Sequence, residues 1–120
     1  MKAAGVDISS VAINEILPIT VRKFLYHSSL TQLPFSNGGF YSGYSFHVLE
    51  HLTKDEIEYA ISEISRVVRY QLYLIIPTWD KLLNKEIFNQ IVFDPTHKTI
   101  ATRKWWIDQF SKKGWSKNEE

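Results

Sequence analysis

Ser45-Phe46-His47-Val48-Leu49-Glu50-His51-Leu52, followed at once by Thr53, is the stretch around which the chain is organised. The run from Tyr41 to Leu49 predicts a strand, and Thr53 with Glu56 forms the pattern of a capping box, in which each side chain satisfies the other's backbone N–H. Ile57, Ala60, Ile61, Ile64, Val67 and Val68 then recur at three- and four-residue steps, as on the apolar face of a helix. A strand end that feeds a helix start puts His47, Glu50 and His51 at the carboxyl edge of a sheet. In open α/β sheets that edge receives ligands, because it presents backbone groups and helix N-termini to a polar guest.

Downstream, Leu72 to Ile76 is apolar on both faces, as expected of an interior strand in a helix-covered parallel sheet, and Pro77 ends it. Trp79 to Val92 contains a helix around Lys81 to Ile91, and Asp94-Pro95-Thr96-His97 reads as a turn. Thr102 caps a last helix carrying Trp105, Trp106, Ile107 and Phe110, which ends at Gly114. Upstream, Lys2 to Ile8 is a short strand pattern ending in an acid, and Ser9-Ser10 offers N-caps for a helix bearing Val11, Ile13, Ile16 and Leu17, limited by Pro18. Lys23 to His27 is a second strand, followed by a loop through Leu33-Pro34-Phe35 and Ser36-Asn37-Gly38-Gly39. Strands alternating with helices argue for an α/β fold with a mostly parallel sheet and right-handed crossovers.

Composition narrows the function. The 120 residues make one domain, with 44% hydrophobic and 22% charged residues, as in ordinary globular proteins. Fourteen basic against thirteen acidic residues leave a net charge of +1, which supplies no general field for nucleic acid or an anionic membrane. Zero cysteines exclude disulfides and thiolate metal sites and fit a reducing cytoplasm. The first residues read as a strand rather than a signal peptide, and the longest apolar run is too short to span a bilayer.

Five ordered pieces, Gly5-Val6-Asp7-Ile8-Ser9, Leu33-Pro34-Phe35, Val48-Leu49-Glu50-His51-Leu52, Ile76-Pro77 and Asp94-Pro95-Thr96-His97, resemble the class I S-adenosylmethionine-dependent methyltransferases. The branch that acts on small molecules, with its Leu-Glu-His signature, is the nearest likeness, and Trp105-Trp106-Ile107 to Gly114-Trp115 resembles its closing helix. The resemblance implies a Rossmann-like sheet with flanking helices and S-adenosylmethionine as cofactor. It also implies that Asp7 accepts hydrogen bonds from the ribose diol, since a carboxylate offers two acceptor oxygens, while Ile8 lies against adenine. Asp7 as a simple cap for the helix after Ser9 is the structural alternative. Ser29, Leu30, Ser45 and His47 complete the implied cofactor contacts.

The pattern is also broken in several places. Ser29 stands where the family usually has an acid for the adenine amino group, Phe40-Tyr41 stands for Phe-Asp, and Arg69-Tyr70-Gln71 replaces a Pro-Gly-Gly turn. No Gly-x-Gly-x-Gly occurs in the chain, and the family's first strand and last strand pair have no counterpart. The resemblance therefore describes residues 1–120 as a single, incomplete domain whose missing strand belongs between those ending at Asp7 and Leu49. Such a truncated domain is expected to bind its cofactor weakly or not at all, and to self-associate through open sheet edges.

His51 is the candidate general base for an acceptor hydroxyl, because imidazole exchanges protons near neutral pH; bracing of the turn by Glu50 and His51 is the alternative. His97 is a second candidate in the acceptor pocket, or else a turn histidine. No metal is expected, since no two of His27, His47, His51 and His97 share a helix face. The tryptophans of the last helix have the spacing of core packing or a lid, with too few interleaved cations for nucleic acid. Two functions follow: methyl transfer to a small-molecule or saccharide-like acceptor, or a non-catalytic remnant or interaction module of the same fold.

Overall fold

The computed structural model describes residues 3–7, 20, 24–78 and 96–118. Its longest helix, α1 (Lys54–Val67), starts where the capping pattern places it. Thr53 Oγ1 accepts from the Glu56 N–H at 3.3 Å, and Glu56 Oε1 accepts from the Thr53 N–H at 3.1 Å. Ile57, Ala60, Ile61, Ile64 and Val67 form its buried face. Full burial of an isoleucine contributes about 1.5–3 kcal/mol, so this stripe, rather than helix propensity, fixes α1 against the rest of the domain.

The capping box makes stability depend on acid. The Thr53 backbone N–H, and then its hydroxyl, hold the Glu56 carboxyl below its ordinary value of 4.5, with a smaller pull from Lys98, against some desolvation. A carboxyl lowered by folding contributes stability that is present above its unfolded value and lost as pH falls through the lower folded value. Urea stability at neutral pH is therefore expected to be lower for Glu56→Gln than for the parent, the gap closing below pH 4.5. An equal gap at pH 7 and pH 3 would exclude this linkage.

The chain then passes from helix to strand without a turn. Val68 caps α1 through its N–H to the Ile64 carbonyl while already extended, and β4 runs Val68–Ile75. Arg69-Tyr70-Gln71 therefore lies inside the strand, which begins four residues before the apolar run that predicted it. β4 pairs in parallel with β3 (Phe40–Phe46), with one irregularity in register between Phe40 and Ser42. The other two strands, β1 (Gly5–Asp7) and β2 (Leu25–His27), form a second parallel pair, with Asp7 beside His27.

Mixed α/β architecture with parallel strands and flanking helices is thus the observed class, but the sheet is not continuous. The described residues form two two-stranded sheets. β1 pairs with β2 and β3 with β4, and no ladder among the described residues joins the two pairs. β4 also departs from expectation: Val68 is buried and Leu72 and Leu74 pack on the core, whereas Tyr70, Tyr73 and Ile75 are exposed. On the exposed side Tyr44 stacks on Tyr73 at 4.9 Å and 9°. Apolar residues on both faces arise here because aromatic pairs across strands cover one another, not because helices cover both sides among the described residues.

Arg66 ties the loop before β3 to α1. Its guanidinium donates to the carbonyls of Phe35 (2.7 Å) and Leu33 (3.0 Å) and to Asn37 Oδ1 (2.9 Å), and it pairs with Glu63. The Gly38 N–H closes the loop on the Arg66 carbonyl at 2.8 Å. Gly38 has φ +61°, and a Cβ there would lie 2.7 Å from Arg69 Nε.

The last helix, α2 (Arg103–Ser111), is capped by Thr102, whose hydroxyl accepts from the Trp105 N–H. Trp106 and Phe110 enter the core, and the Trp115 indole N–H donates to Ser65 on α1 at 2.8 Å. Gly114, at φ +91°, sits in the turn after the helix, as expected. The helices expected from Ser9 to Leu17 and from Lys81 to Ile91 lie outside the described residues, as do Ile8, Asp94 and Pro95. No helix among the described residues is long and apolar enough to cross a membrane.

Candidate functional site

The strand at the centre of the site ends three residues earlier than its apolar run suggests. Phe46 is the last residue of β3, and His47 takes φ +57° while its N–H still donates to the Ile75 carbonyl at 2.8 Å. A left-handed histidine reverses the direction of the chain at that point, at a conformational cost that such positions often carry beside functional sites. The residues read as strand from Leu49 onward are instead a single 3-10 turn, Leu49–His51. Leu49 is wholly buried and anchors the turn in the core.

A distant segment lies across this turn. The Glu50 carbonyl accepts from the N–H groups of both Lys98 and Thr99 at 3.0 Å, and the Thr99 hydroxyl donates to the Leu52 carbonyl at 2.7 Å. His51 Nδ1 stands 2.8 Å from the Thr96 carbonyl. A carbonyl can only accept, so Nδ1 carries the proton of that bond, and in the neutral ring Nε2 is left with its lone pair. The His51 and His97 rings meet edge to face at 4.9 Å.

Glu50 lies beneath both histidines of the turn with its side chain only 1% exposed. Its Oε2 is 3.7 Å from His47 Nδ1 and 4.0 Å from His51 Nε2, beyond hydrogen-bond length in each case. Oε1 is buried with no hydrogen-bond partner. A buried carboxylate so poorly satisfied is costly, and sites that keep one usually use it.

Residues 1–76 match the family model described as a methyltransferase domain. The chain belongs to that methyltransferase family. Among curated proteins, none matches the sequence. Members of that family generally bind S-adenosylmethionine. Asp7 ends β1, at the carboxyl edge of a parallel pair. The Ser45 hydroxyl, on β3, is buried without a hydrogen-bond partner. The glycine-rich loop that would receive the methionine half has no counterpart in the 120 residues.

The remaining expected residues are placed as follows. Ser29 Oγ accepts from the Thr31 N–H at 3.1 Å and shares a hydrogen bond with the Thr31 hydroxyl at 2.8 Å, so its hydroxyl is engaged in its own turn. Leu30 is half-buried and packs against the core. His51 and His97, separated by the whole of α1 and β4, are brought together, and Glu50 joins them. The lack of a shared helix face, which argued against a metal, does not keep these three side chains apart in the fold. Thr99, buried and bonded to the turn, and the Thr96 carbonyl carried no signal in the sequence; their role exists only because residues 96–99 return to the end of β3.

Proposed function

We propose that the domain methylates a hydroxyl-bearing small molecule or saccharide-like acceptor, with S-adenosylmethionine as donor. The observation that carries this is the His51 tautomer: Nδ1–H is committed to the Thr96 carbonyl, and Nε2, above the Glu50 carboxylate, is left to take a proton. When bound, the cofactor supplies a methyl group on a positively charged sulfur. Asp7 would bind the ribose hydroxyls, and Leu30, Ser45 and His47 would supply further cofactor contacts. His51 accepts the acceptor's hydroxyl proton, Glu50 stabilises the imidazolium that forms, and His97 walls the acceptor pocket. Positioning accounts for most of the rate in a displacement of this kind, so the rigid clamp of residues 96–99 on the turn matters as much as the proton transfer.

Calorimetry with S-adenosylhomocysteine tests the reading. The 120-residue chain is expected to bind it weakly or not at all, and a version preceded by the family's strand and glycine-rich loop is expected to bind it well. In that version Asp7→Ala should weaken binding by about 1.5–3 kcal/mol, the worth of a hydrogen bond to a charged group. Failure of the extended version to bind would refute methyl transfer and favour the non-catalytic module.

A further inference from the structure

We propose that Glu50, His51 and His97 form a binding site for a divalent transition-metal cation of the zinc type. One ligand atom from each residue lies within 4.8 Å of the others. Zinc holds imidazole nitrogen at about 2.0–2.1 Å and carboxylate oxygen at about 2.0–2.2 Å, so small side-chain rotations close the triangle around one ion. The His51 Nε2 and Glu50 Oε2 atoms already face each other at 4.0 Å.

Three features set this cluster apart from a chance grouping of polar side chains. Glu50 is buried, and Oε1 has no partner to offset its lost hydration. His51 is held by its Nδ1–H in the orientation and tautomer that present Nε2 as a ligand, the same outer-shell carbonyl contact that orients metal-binding histidines. In the neutral ring Nε2 then lies with its lone pair 4.0 Å from a carboxylate oxygen, two electron-rich atoms that a shared cation would hold together.

The donor set selects the ion. Two imidazole nitrogens and one carboxylate suit zinc and its neighbours, whereas magnesium and calcium favour oxygen ligands. Three protein ligands leave a position open to an oxygen donor, either water or, on the methyltransferase reading, the acceptor hydroxyl. Cation binding itself does not depend on that reading. A bound cation and a proton would compete for His51 Nε2.

The test uses the 120-residue chain stripped with EDTA, then titrated with zinc chloride by calorimetry and with cobalt chloride by visible absorption. One zinc per chain and cobalt bands characteristic of nitrogen and oxygen ligands are expected. Loss of an outer-shell partner costs about 10–100-fold in metal affinity, so Glu50→Gln and His97→Ala, which remove ligands, should each cost more than about 100-fold. His27→Ala, on β2, should leave the affinity unchanged. If Glu50→Gln does not fold, His97→Ala alone decides the question. The proposal is overturned by absence of zinc binding, by parent-like affinity in His97→Ala, or by equal loss in His27→Ala. Zinc binding by a chain whose extended version ignores S-adenosylhomocysteine would uphold this site and refute methyl transfer.

Discussion

Replacing His51 with alanine in the active enzyme is expected to lower turnover by about 10²–10⁴-fold, the usual contribution of a positioned proton transfer, and to leave cofactor affinity nearly unchanged. On the proposed mechanism, Nε2 is the atom that would take the acceptor's hydroxyl proton. His51→Asn separates this role from bracing, because the asparagine amide can still donate to the Thr96 carbonyl, which the histidine contacts at 2.8 Å. If His51 only braces the turn, the asparagine variant should keep its turnover. In that case the alanine variant should show a small loss of activity and a stability deficit of about 0.5–1.5 kcal/mol, the net worth of one hydrogen bond. Thermal denaturation measured beside kcat distinguishes the two.

Leu49→Ala is expected to cost about 2–5 kcal/mol of folding stability, as large-to-small substitutions do at fully buried leucines. Leu49 has no exposed surface and holds the 3-10 turn that carries Glu50 and His51. Its neighbour Val48 is 40% exposed, so Val48→Ala should change stability by less than about 0.5 kcal/mol. Urea denaturation of the two variants checks the contrast. Similar midpoints for both would mean that the turn is not anchored through Leu49.

Helix α1 shows what local sequence can specify. Thr53 and Glu56 are three residues apart and meet in any helix that begins there, so the capping box was visible without a fold. The stripe from Ile57 to Val67 likewise follows from a periodicity of 3.6, and so does the cap of α2 at Thr102. The α/β class, the parallel pairing and the family could be read from the order of such elements and five short motifs.

Strand limits could not. Tyr41 to Leu49 is rich in aromatic and apolar residues, and nothing in those residue types says that His47 adopts φ +57° or that Leu49 begins a 3-10 turn. Val68 suits both the helix stripe and the first position of β4, and its backbone is extended because pairing with Phe40 outweighs one more helical turn. The division of the described strands into two separate pairs likewise depends on which backbone edges find partners, a property of the assembled chain.

The sequence by itself determined the helix caps, the core stripe, the family motifs and the presence of a Glu-His pair beside a strand end, because each depends on residues within a few positions of one another. Only the tertiary structure decided that His97 and the Thr96 carbonyl meet His51, that Lys98 and Thr99 grip the Glu50 carbonyl, and that the Glu50 carboxylate is buried with an unsatisfied oxygen. These contacts join residues more than forty positions apart. They arise from the packing of α1 and α2, which carries the segment before α2 back over the end of β3, and no local pattern encodes that return.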